Sequence, residues 1–188
     1  MLSERDTVYG GATGVNWCDY SPFDPGVTRP LHEVTRREAR AAFVRLMDAR
    51  QERASELRRL LEGNGVVLTP DDAGLQVVND WFRCEVEGVS GTGRLRNLWY
   101  AVVNDLALFL GDVMIERSPN LQWVMFDKGA RDAAFQRHVI MGFTGVANPK
   151  YNVDVDRLLA TYGHQIVADE SVETDAFVTW VAAAIDKA

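Results

Sequence analysis

Between Asn97 and Arg117 the chain places Leu98, Trp99, Val102, Val103, Leu106, Phe109, Leu110, Val113 and Met114. At helical spacing these residues cover most of the circumference. A helix apolar on nearly every side must be central, with neighbours on more than one face. The remaining segments are therefore read for what can supply those neighbours.

The first candidate is a long helix. Thr35 with Glu38 forms a capping box, Gly63 supplies the stop, and Ala39, Phe43, Leu46, Met47, Ala54, Leu57 and Leu61 fall on one face. Thr69-Pro70-Asp71-Asp72 reads as an N-cap followed by proline at the first helical position. It predicts a second helix from Pro70 to Glu87 that buries Leu75, Val78 and Phe82. Gly88 to Gly93 reads as a loop.

After Pro119 the period changes. Leu121, Trp123 and Met125 alternate with their neighbours as a strand, and Phe135 to Phe143 is rich enough in Val, Ile and Phe for another. Asp154 predicts a short helix through Tyr162 closed by Gly163, then a third strand over His164 to Val167. A final helix is expected from Ser171. Helices first, then strands, then helices, argue for an α+β fold. It should be a helix-rich single domain over 34–188, with a small, largely antiparallel sheet in the second half.

Residues 1–33 are of another kind. Gly10, Gly11, Gly14, Pro22, Pro25, Gly26 and Pro30 exclude a long helix. Yet Tyr9, Trp17, Tyr20 and Phe23 are too apolar for a solvated tail, so the segment should pack on the domain as an ordered arm.

The net charge of -7 disfavours nucleic acid as a partner. No uninterrupted apolar run reaches the ~20 residues of a membrane span, so no membrane association is expected. The N-terminus lacks the grammar of a secretory signal, and Cys18 and Cys84 have no paired spacing. A cytoplasmic setting is the resulting expectation. His32, His138 and His164 show no metal-ligand spacing, and His138 reads as a satisfied strand residue. No metal and no cofactor are expected. Gly88-x-x-Gly91-x-Gly93 follows a helix instead of a strand, and satisfies neither dinucleotide nor P-loop grammar.

Two polar anomalies remain. Asn104, Asp105, Asp112 and Glu116 form a narrow polar stripe on the otherwise apolar helix. Asp105 and Asp112 stand ~10.5 Å apart along its axis, too far to share a proton. Arg50 interrupts the apolar face of the first helix between Phe43 and Leu57. A charge there must reach solvent or a partner, and Asp105, Asp112 or Glu116 would resolve both anomalies. These four are the candidate ligand or ion-pair residues.

Asp105-Leu106-x-Leu108-x-Leu110-Gly111-Asp112-x-x-Ile115, followed by Leu121-x-Trp123, is similar to a helix-to-strand unit in small bacterial domains of unknown function. Some of these stand among immunity-like, toxin-neutralising proteins. The resemblance implies a binding role; together with the lack of a catalytic motif, the acidic body and the aromatic residues of the arm, it makes a protein-binding module without catalysis the leading expectation, the partner being another protein or a second copy of the chain. The alternative expectation is an enzyme or small-ligand binder with a pocket beside the central helix 97–117.

Overall fold

The computed structural model describes residues 14–188, and Tyr9 of the arm lies outside them. After a short 3-10 turn at Leu31–Glu33 come α1 (Arg36–Gly63) and α2 (Asp72–Glu85). The ribbon β1 (Gly88–Val89) and β2 (Arg94–Leu95) follows, then α3 (Asn97–Arg117). The strands β3 (Gln122–Met125) and β4 (His138–Met141) precede α4 (Val155–Val167) and α5 (Ala176–Lys187). The fold is helix-rich α+β. Its strands form two separate antiparallel pairs, with Gly88 opposite Leu95 in one and Trp123 opposite Ile140 in the other.

α3 is the axis of the core. Trp99, Val102, Val103, Leu106, Leu110 and Met114 are buried, and α1, α4 and α5 pack around the helix. By length and composition α3 is apolar enough to cross a bilayer, which a search for unbroken apolar runs does not reveal. In this fold most of that surface is covered by other helices.

Several boundaries differ from the sequence reading, each for a packing reason. Gly88 to Gly93 is a hairpin and not a loop; Gly91 and Gly93 take positive φ in its turn. α2 is capped by Asp71, not Thr69: the Asp71 carboxylate accepts the Gly74 N–H at 2.8 Å, and the Thr69 hydroxyl supports it.

Gly163 does not end α4 but lies within it, so no strand forms over His164 to Val167. A Cβ on Gly163 would stand 3.2 Å from both Leu95 and Phe82, so this glycine sets how closely α4 approaches. α5 starts at Ala176 instead of Ser171. Asn79, fully buried on α2, donates to Thr174 O at 2.7 Å and accepts the Phe177 N–H, holding the preceding residues in a loop.

Gly111 shows how the axis receives the second ribbon. A Cβ there would meet the Trp123 ring at 2.1 Å, so the glycine leaves the groove in which that indole lies. One residue on, Asp112 Oδ1 accepts Trp123 Nε1–H at 2.8 Å. Gly111→Val should therefore cost about 1–3 kcal/mol by overpacking. Thermal unfolding should show a midpoint several degrees lower, largely restored by adding Trp123→Leu. An unchanged midpoint would mean that the indole does not lie there.

Candidate functional site

The most deeply buried charges of α1 and α3 meet in one cluster. Arg53 Nε and Nη2 donate to the two Asp105 oxygens at 2.9 and 2.6 Å, and the side chains are 5% and 0% exposed. Tyr20 of the arm adds a third donor, its hydroxyl 2.5 Å from Asp105 Oδ2, with the Arg53 guanidinium 5.6 Å from its ring centre. Burial opposes the charge on Arg53, but the Asp105 hydrogen bonds and charge overcome it and raise its pKa. Burial raises Asp105 above the ordinary carboxylate value, while Arg53 and Tyr20 pull it back. Burial and then Asp105 raise the Tyr20 phenol well above its usual range, so it remains a donor.

Arg50 reaches a different acid. Its Nη1 lies 2.8 Å from Asp112 Oδ1, the oxygen that also accepts from Trp123, and the two side chains are 36% and 43% exposed. Arg50 pairs with Asp112 while Arg53 pairs with Asp105, so α1 and α3 run antiparallel where they touch. Glu116 is exposed at the end of α3. Arg50, Asp105, Asp112 and Glu116 thus do not converge on one ligand position; the first three are structural ties. Among the described residues no group of three or more His, Cys, Asp or Glu side chains could hold a metal ion.

A concavity does lie beside α3, on another sector of the helix. It encloses about 380 Å³, within the ~300–1,000 Å³ of small-molecule sites. Ala39, Ala42, Phe43 and Leu46 of α1 form one wall, and Tyr100, Ala101 and Asn104 of α3 another. Gln136, Arg137 and His138 lead into β4, Asp156 projects from α4, and Phe23, Pro25, Val27, Pro30 and Leu31 of the arm cover the remaining side, where Arg29 adds a cation to the lining.

The arm reaches this position through fixed points. Asn16 and Asn64 exchange hydrogen bonds of 2.9 Å at the end of α1. Trp17 packs edge-on against Trp99, with centroids 5.4 Å apart. Tyr20 is tied to Asp105. Beyond the pocket, the buried Gln136 amide donates to Leu31 O and Val34 O, fixing the entry to α1.

At the polar end, His138 is 8% exposed and burial lowers its pKa, so its ring is neutral at neutral pH. Asn104 Nδ2 lies 3.5 Å from His138 Nε2, while Asn104 Oδ1 is buried without a partner. Arg137 is committed elsewhere: it pairs with Asp154 and, at 2.6 Å, with Asp156. Burial alone would lower its pKa, but the two carboxylates outweigh that and raise it.

No protein-family model, curated protein sequence or solved structure matches this chain. The site therefore rests on its own geometry. Sequence reasoning chose Arg50 and passed over Arg53, yet Arg53 stands on the seven-residue seam of Ala39, Leu46 and Leu60, all buried. That seam was the available signal. Asn104 stood in the polar stripe and His138 read as a satisfied strand residue, but neither was chosen as a site residue, because their proximity depends on which elements meet there.

Two measurements check these assignments. Arg53→Met, which strands a buried carboxylate, should cost roughly 3–5 kcal/mol in denaturant unfolding. Arg50→Ala should cost no more than about 1 kcal/mol, since its pair is more than a third exposed. The Arg53→Met/Asp105→Leu double variant should recover most of the loss; equal costs for the two arginines would contradict the assignment.

For His138 the folded pKa lies below the ordinary 6.5. Its contribution is thus present above that value and is lost as pH falls through the folded pKa. Wild type should lose more stability than His138→Gln between neutral and mildly acidic pH. Parallel curves would show that the ring is not held neutral.

Proposed function

We propose that this protein binds a small molecule in the pocket between the arm, α1 and α3. The observation that carries the reading is a partly open concavity between the arm, α1 and α3, largely apolar on those sides, with Asn104, His138 and Gln136 among the lining and Arg29, Arg137 and Asp156 as its charged members. Preformed pockets of this make-up bury an apolar ligand body and use a few polar groups to orient it. Binding is the reading we adopt because the one carboxylate of the lining, Asp156, is held by Arg137 at 2.6 Å.

A docking surface for a protein partner, immunity-like or otherwise, has less support. The exposed large apolar side chains Val44, Val67, Val77, Val89, Leu98 and Leu158 are spread over α1, a loop, α2, β1, α3 and α4. Apolar residues spread over separate elements are ordinary surface.

Ala101→Trp tests the reading by filling the cavity from α3. In ligand-observed NMR with a mixture of uncharged aromatic fragments, the wild type should give hits that this variant loses. Its midpoint should stay within a few degrees of wild type. If no fragment binds, or hits bind the filled variant equally well, the protein does not use this pocket.

A further inference from the structure

We infer that the pocket takes a monoanionic amphiphile, its apolar body seated between α1 and α3 and its carboxylate held by Arg29 of the arm. This rests on the pocket reading above and names the class of its ligand. The lining carries three charged side chains, Arg29, Arg137 and Asp156. Two of them hold each other: Arg137 Nη2 lies 2.6 Å from Asp156 Oδ2, and Arg137 Nε pairs with Asp154. Arg29 is different. It is exposed and has no carboxylate at ion-pair distance among the described residues.

The acids of its neighbourhood are engaged elsewhere. Glu38 senses the charge of Arg29, but its Oε2 accepts the Thr35 N–H at 2.8 Å and the Thr35 hydroxyl at 2.6 Å in the capping box. Asp24, earlier in the arm, accepts the Gly26 N–H at 2.8 Å. A guanidinium offers only donors, in a fork that fits the two oxygens of a carboxylate. A ligand ammonium would find no such partner, since it would have to compete with Arg137 for Asp156.

The same inventory limits the anion to one charge. A phosphate monoester carries close to two, and the lining has one open cation to meet them. Arg137 cannot supply a second, because its two carboxylates already exceed its charge. The rest of the ligand faces Ala39, Ala42, Phe43 and Tyr100, which suit a flat, apolar body, and the volume of about 380 Å³ keeps it compact.

Three probes of one shape separate the possibilities: 2-naphthoate, the uncharged 2-naphthamide and the cationic 2-(aminomethyl)naphthalene, titrated into the full chain at neutral pH and low salt. The wild type should bind the naphthoate roughly threefold to tenfold tighter than the amide, between the worth of an exposed ion pair and of a charge-assisted hydrogen bond, and the amine weakest. Added salt should narrow that preference. Arg29→Gln should bring naphthoate and amide to equal affinity. Arg37→Gln makes the same change of charge on α1 outside this lining, and should leave the preference in place.

If the probes bind and Ala101→Trp abolishes them, three results would overturn the ligand class and leave the pocket standing. The amide or the amine matches the naphthoate, Arg29→Gln keeps the preference, or the two arginine variants weaken it alike. If none binds, or binding survives Ala101→Trp, the pocket reading falls and this inference with it.

Discussion

Arg53 and Asp105 are charges removed from water in the middle of an apolar contact between two helices. Isolated, either would be expensive to bury; together, and with the Tyr20 hydroxyl, their donors and acceptors are largely matched. Buried pairs of this kind add little to stability over well-packed apolar residues, but they penalise every arrangement that separates them. Here they fix the register of α1 against α3. They also require an aromatic residue from the arm at one place, so the arm's course belongs to the same constraint.

The pocket follows from that constraint. Once Tyr20 is tied to Asp105, the next residues pass over the alanine-lined stretch of α1, where Ala39 and Ala42 leave room. Gln136 then catches the chain again at Leu31 and Val34. The arm is held at both ends and covers a cavity between them. The other arginine, Arg50, ties α1 to the second ribbon through Asp112 and Trp123.

The centre of the fold was legible because α3 announces itself by apolar breadth, and α1 by its capping box. The polar stripe on α3 and the arginine within the α1 face also pointed correctly to contact between those helices. The boundaries that failed were glycine and cap positions whose meaning is tertiary. Gly163 resembles a helix stop in sequence but is a clearance for Leu95 and Phe82, and the start of α5 depends on Asn79, almost a hundred residues away. A pocket beside α3 was the alternative expectation, but its lining was illegible for the same reason: it comes from five separate stretches of chain. Asn104 stood at the edge of the polar stripe, yet faces His138 and not α1.

The central claim is that the Tyr20 hydroxyl, through Asp105, holds the arm in place over the pocket. Hydrogen–deuterium exchange of wild type and Tyr20→Phe tests it most directly, since the substitution removes one oxygen and keeps the ring. The account predicts faster exchange at amides from Phe23 to Leu31 in Tyr20→Phe, with the amides of α4 and α5 unchanged. Identical exchange across the arm in the two proteins would contradict it.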